Sequence, residues 1–270
     1  MTGKNIIFFF SLLLLSVPEI CFAQITPPYP FMPREDLQLR VYYNLGPLWV
    51  YAGDVNLKTD TITYNHRKCV HFIAIGRSLK KYAFIFKLKD YYQSVTAIKG
   101  FKPLFYEKKT LEGGYFIHNI YHFHWDSLNV NVHTEATRHP AKDTLLTLNK
   151  SFRDVLSATY YLRITNTSAL KVGDTLAIPL IVDGKKQTYY IIYAGKGQMV
   201  HKKERIACDV YKAVITSSTF FSDTDPLVVY VTADKHRFPI YVEANIIVGS
   251  VKVFMLPYLD FRPKFKSHKR

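Results

Sequence analysis

The chain has 270 residues and a formal net charge of +15, with 48% hydrophobic residues and 15% aromatic ones, 20 Tyr and 19 Phe among them. Such a composition supports a buried core and excludes a disordered chain. Tyr, Val, Ile, Phe and Thr dominate, which favours pleated, half-buried surfaces over helices.

Residues 1–23 predict export. Lys4 is the positive start, 6–17 is an almost unbroken apolar run, and Cys21-Phe22-Ala23 offers small residues at the −3 and −1 positions. Cleavage is therefore expected before Gln24. The run is too short to span a bilayer, and no later run is long enough, so no transmembrane segment is expected. Export, with the periplasm as the expected compartment, makes nucleic acid an improbable partner for the positive charge. Anionic envelope surfaces fit better, and contact with a membrane surface is compatible with this charge.

Residues 24–35 are Pro-rich and predict an extended lead-in. From 37 onward alternation predicts strands, with Gly46-Pro47 as the first break. Leu79, Tyr82, Ala83 and Phe86 fall at helical spacing and predict a short helix over 79–88. A strand follows at 91–98. Runs at 101–110 and 115–125 flank Gly113-Gly114, a strong hairpin signal. The meander continues at 128–134, and 135–143 is a polar loop. Ser151 with Asp154 resembles a capping box ahead of a helix over 152–163. Strands are then expected at 175–182, 187–193, 205–217, 227–232, 237–248 and 250–256, with a turn at Asp183-Gly184. The tail beyond 257 is basic, lacks apolar periodicity and is expected to be mobile.

The fold class is thus mostly β: a strongly bent antiparallel sheet or open β-barrel with two short helices. The domain plan is a signal peptide (1–23), the lead-in (24–35), one β-rich domain (36–256, with a subdomain boundary near 151) and a basic tail (257–270).

No G-x-S-x-G, H-E-x-x-H, Walker or C-x-x-C pattern is present, so no catalytic residue and no cofactor is assigned, and an enzyme is the weaker reading. His118, His122, His124 and Asp126 share one face of a strand. His122 and His124 stand about 6.6–6.8 Å apart along it, which two imidazoles can bridge to one metal. The opposite face, Tyr115, Ile117, Tyr121, Phe123 and Trp125, reads as core. Cys69 and Cys208 are disulfide candidates in an oxidising compartment.

The segments LRVYYNLGPLWVYAGDVNL, FKLKDYYQS, KPLFYEKKTLEGGY, VGDTLAIPLIVDGKKQTYYIIYAGK, ACDVYK and VYVTADKHRFPIYVEANIIVGSVKVFM occur in that order. This series is similar to the exported bacterial proteins grouped as the domain-of-unknown-function family 3108. The resemblance covers roughly 36–256 and implies an envelope location and a β-rich fold. It implies no activity. The architecture is also similar to curved-sheet lipid carriers of the periplasm, an analogy at the level of fold. The leading expectation is a periplasmic, non-enzymatic binding protein for a lipid-like or other envelope ligand. The alternatives are a structural or interaction protein of the envelope, and a hydrolase of envelope glycans.

Overall fold

The structure, a computed structural model, describes residues 29, 31, 34–45, 48–82, 87–201, 203–214, 226–246, 249–256 and 262–264. The expected signal peptide lies outside them. Strands β1 (Asp36–Leu45), β2 (Leu48–Tyr64), β3 (Arg67–Ser78), β4 (Leu88–Ala97), β5 (Lys102–Glu112), β6 (Tyr115–His124), β7 (Asn129–Ala136) and β8 (His139–Thr147) form an antiparallel meander. Helix α1 (Val155–Ile164) follows, then β9 (Thr175–Val182), β10 (Lys185–His201), β11 (Glu204–Val214), β12 (Leu227–Thr232), β13 (Pro239–Asn245) and β14 (Ser250–Met255). β15 (Arg262–Lys264) pairs with β10. All belong to one sheet, because β14 returns to pair with β1. The chain beyond residue 151 therefore starts no second sheet.

Turn chemistry sets the registers. Gly113 (φ 56°) and Gly114 (φ 91°) join Glu112 to its partner Tyr115 in a two-residue turn that needs positive φ at both positions. Asp183 (φ 46°) and Gly184 (φ 72°) do the same between Val182 and Lys185. Gly53, in the Ala-Gly-Asp segment, answers a different need. A Cβ there would lie 2.4 Å from the Arg77 carbonyl oxygen, so the backbones of β2 and β3 approach too closely for a side chain.

Helix α1 packs on β3 and β4 on one side and on β9 on the other. These strands are far apart in the sheet order, so the sheet curls around the helix. Tyr160 stacks on Phe72 of β3 with ring centroids 4.0 Å apart, while Ala158 joins Leu180, Ile191 and Tyr211 of the facing strands. The space enclosed between β3–β7 and β9 is thus occupied by the helix, Phe101, Tyr106, Tyr121 and Ile181. Asp154 is the N-cap and accepts from Ser157 N at 2.8 Å. Ser151 lies exposed upstream, which corrects the capping box expected there. Capping by Asp154 is worth about 1 kcal/mol.

The described residues contain one α-helix. At the other expected helix, only a 3-10 turn at Lys80–Tyr82 is seen, and 83–86 lie outside the described residues. Its first turn has no acidic residue to complement the helix dipole. The loop expected at 135–143 is instead largely β8, an exposed edge strand whose polar sequence hides it. Pro140 is tolerated there because an outer edge needs no donor. The lead-in is more than a linker: Phe31 is buried against Phe72, Phe101 and Tyr160, and the Tyr29 hydroxyl donates to the Ile98 carbonyl. The basic tail contributes β15, while 265–270 lie outside the described residues.

Candidate functional site

The curled sheet has two ends. One, the groove end, gathers the turns after β2, β4 and β6. Asn65 and His66 turn the chain between Tyr64 and Arg67 with φ of 45° and 59°. These turns surround an open groove of about 590 Å³ lined by Tyr64, Arg67, His122, Phe123, His124 and Trp125, with Asp126 and Ser127 at its lip. A second groove of about 510 Å³ shares Arg67 and continues over Lys68, Ile98 and Lys99.

Phe123 and Trp125 stack in parallel with centroids 5.8 Å apart. Trp125 Nε1 donates to the Pro103 carbonyl at 2.6 Å, which fixes the indole. Lys102 Nζ sits 4.8 Å from that ring. Phe105 lies 5.3 Å from the His122 ring. Fixed aromatic faces beside Arg67, Lys68, Lys99 and Lys102 can hold an apolar moiety on one side and an anion on the other.

Alternation places His118, His122 and His124 on the outer face of β6 as expected, but the structure does not bring them together. His118 Nε2 lies 2.8 Å from Glu107 Oε1, part of a stripe in which Gln93 bridges His71 to Glu107. Burial opposes ionisation of Glu107. Hydrogen bonds from Lys109, Gln93 and His118 outweigh it and hold the carboxyl below its usual range. His122 and His124 stand in the groove, and His124 Nε2 meets Asn131 Nδ2 at 3.4 Å. Among the described residues, no three His, Cys, Asp or Glu side chains are placed to hold a metal ion. Tyr115, read as core, is exposed because it ends the hairpin.

Cys69 on β3 and Cys208 on β11 are both buried and free, so the bridge weighed above is not formed in this structure. Six positions in the sheet separate their strands. Burial pushes the Cys208 thiol up to about 12, which leaves almost no thiolate for nucleophilic work.

A second polar cluster faces inward, away from the grooves. Lys108 Nζ and Asn119 Nδ2 each donate to Asp183 Oδ1 at 2.8 Å, and Gly184 N donates to the Tyr121 hydroxyl at 3.0 Å. These bonds latch the β9–β10 turn onto β5 and β6. Nearby, burial and then the Glu112 carboxylate push the Asp90 carboxyl up to about 7. The folded state thus binds a proton more tightly than the unfolded chain. Asp90 therefore stabilises fully below the unfolded carboxylate range, and that stability is lost as pH rises through about 7. Asp90→Asn is expected to raise the melting temperature at pH 8 and to change it little at pH 4. Calorimetry across pH checks this, and an equal shift at both values contradicts it.

The Asp-Lys-x-Arg-x-Pro-Ile segment folds as a clamp. Asp234 Oδ1 accepts from His236 N at 2.9 Å and Arg237 N at 3.1 Å. Arg237 then donates to the Thr165 carbonyl at 2.5 Å and the Tyr211 hydroxyl at 2.8 Å, holding the C-terminus of α1. The reading by residue type missed the groove, because its cations come from the turns after β2 and β4 while its histidines and indole come from the end of β6. The only signals for it were the basic strand ends and the Phe-His-Trp-Asp run.

The fold and clamp define a class: an open, strongly curled antiparallel sheet wrapped around a helix. The chain belongs to the family described as Protein of unknown function (DUF3108), whose model matches residues 38–256. It is similar to the crystal structure of a beta-barrel-like protein of domain of unknown function DUF1849 from Brucella abortus, with a TM-score of 0.51 and 10% identity over 85% of this chain and 97% of that one. That likeness is one of fold. A comparison with the curated proteins gives no match.

Proposed function

We propose that the chain is an exported, non-catalytic binding protein of the cell envelope, whose ligand is an anionic, lipid-like molecule held at the groove end. The observation that carries this reading is the pairing of aromatic rings with cations across two grooves that share Arg67: Tyr64, Phe123 and Trp125 line the first with Arg67, and Lys68 and Lys99 line the second. The β-barrel-like fold is compatible with a binding role. The interior beside α1 is packed with side chains, so the ligand is placed in the surface groove and not beside the helix. The periplasm is the compartment proposed, on the residues before Gln24.

The test is a titration with fluorescent phosphatidylglycerol below its aggregation concentration. Saturable binding is expected, displaced by an unlabelled anionic lipid more readily than by a neutral one of equal chain length. Arg67→Ala is expected to weaken binding about tenfold or more, the worth of one hydrogen bond to a charged group. Non-saturable binding, or an Arg67→Ala variant that binds as the parent does, ends this proposal. The interaction-protein reading is favoured by one observation, the exposed edge of β8 with Leu145 at 64% exposure.

A further inference from the structure

The opposite end of the sheet, the far end, has a different character. It gathers the start of β2, residues 79–82 and 87 between β3 and β4, the β5–β6 turn and Gly249 ahead of β14. These are contiguous. Gly249 packs so close to β1 that a Cβ there would lie 3.2 Å from the Asn44 carbonyl oxygen. Leu79 N donates to the Ala52 carbonyl at 2.8 Å, and Gly113 N donates to the Lys87 carbonyl at 3.0 Å.

Three large apolar or aromatic side chains stand out along this rim: Leu48 at 65%, Trp49 at 39% and Tyr115 at 41% exposure. Lysines surround them. Lys80, Lys81, Lys87 and Lys89 are exposed. Lys252 Nζ sits 4.2 Å from the Trp49 ring centroid. The acids near them are fewer than the lysines: Glu243, which pairs with Lys252 at 3.6 Å, Asp54, which accepts from the Tyr51 hydroxyl at 2.6 Å, and Glu112. The rim is therefore apolar at its tip and net positive around it, within a chain of charge +15.

An exposed Leu-Trp pair is unfavourable in water, but the boundary between lipid headgroups and acyl chains solvates both the indole ring and its N–H. Lysines spaced along the same rim attract anionic headgroups and reach them on long stems. No helix among the described residues is long and apolar enough to cross a membrane, so peripheral attachment is the geometry this rim fits.

We infer that the far end docks on an anionic lipid bilayer, with Leu48 and Trp49 entering the headgroup layer while Lys80, Lys81, Lys87 and Lys89 meet lipid phosphates. The groove end then faces away from the membrane. This inference uses none of the groove residues and stands or falls separately from the ligand proposed there.

The chain contains 2 Trp, Trp49 and Trp125, and they lie at opposite ends. That makes the test direct. The protein is purified from cells that export it, its N-terminus is read by sequencing, and all variants are compared in that same form. In a Trp125→Phe background, Trp49 fluorescence is followed on adding phosphatidylcholine vesicles with brominated acyl chains, with and without phosphatidylglycerol. Quenching is expected only when phosphatidylglycerol is present. The Lys80→Glu/Lys81→Glu variant is expected to bind such vesicles about tenfold or more weakly, since each basic residue near an anionic surface adds to the attraction. The Leu145→Ser variant, altered at an exposed apolar residue elsewhere, is expected to bind as the parent does. Unquenched Trp49, equal binding by the charge-reversed variant, or weakened binding by Leu145→Ser overturns the inference. Quenching of Trp125 in a Trp49→Phe background by monomeric brominated lipid reports on the groove alone.

Discussion

Arg163→Met lowers the unfolding free energy by about 3–5 kcal/mol, because it strands the buried carboxylate of Glu35. Arg163 Nη1 donates to Glu35 Oε1 at 2.6 Å and Nη2 to Oε2 at 3.0 Å, with side-chain exposures of 5% and 6%. The same guanidinium also donates to the His236 carbonyl, so three distant segments meet on it: the lead-in, α1 and the β12–β13 turn. Chemical denaturation measures the loss, which corresponds to a fall in melting temperature of about 2–4 °C per kcal/mol for a chain of this size. Glu35→Leu combined with Arg163→Met is expected to recover part of it. A well-packed apolar pair avoids the desolvation that two buried charges incur. An unchanged midpoint for Arg163→Met contradicts the ion pair as a structural clamp.

Tyr160→Ala removes the ring at the centre of the packing around α1 and is expected to cost about 3–5 kcal/mol, the range for deleting a buried aromatic ring. Tyr160 is 1% exposed, stacks on Phe72 and meets Phe31 edge-on at 5.6 Å. Its hydroxyl is buried with no hydrogen-bond partner among the described residues. Tyr160→Phe is therefore expected to be neutral or stabilising, since it deletes an unsatisfied polar group and keeps the ring. Loss of stability comparable to that of the alanine variant would show that the hydroxyl, and not the ring, carries the effect.

Much of the fold was legible in short stretches of chain. Gly113-Gly114 and Asp183-Gly184 announce their turns because two-residue hairpin loops need positive φ, a demand met locally. Alternation along 115–125 put Tyr121 and Phe123 inside and His118, His122 and His124 outside, and the structure agrees. The strand β8 was hidden because most of this outer edge strand is exposed and its first five residues are polar or small, with no apolar alternation. The helix expected over 152–163 is present as Val155–Ile164, with Asp154 and not Ser151 as its cap. At the groove, the two histidines were visible as a pair on one face. Their neighbours Arg67, Lys99 and Lys102 were not, since nothing in their spacing links them to 122 or 124.

The sequence by itself determined the strand-rich composition, the main antiparallel hairpins, the inward and outward faces along most of 115–125 and the apolar leader that predicts export. These depend on residues within a few positions of one another, where side-chain direction and turn geometry follow from local backbone chemistry. The tertiary structure decided what the curled sheet encloses. It set α1 against Phe72 and Leu180, joined Glu35 to Arg163 across 128 positions, left Cys69 and Cys208 on separate strands, and gathered three turns into a groove at one end and a lysine-ringed apolar rim at the other. Those pairings follow from the order of strands in the sheet and from its curvature. Both are properties of long-range packing, which no local pattern encodes.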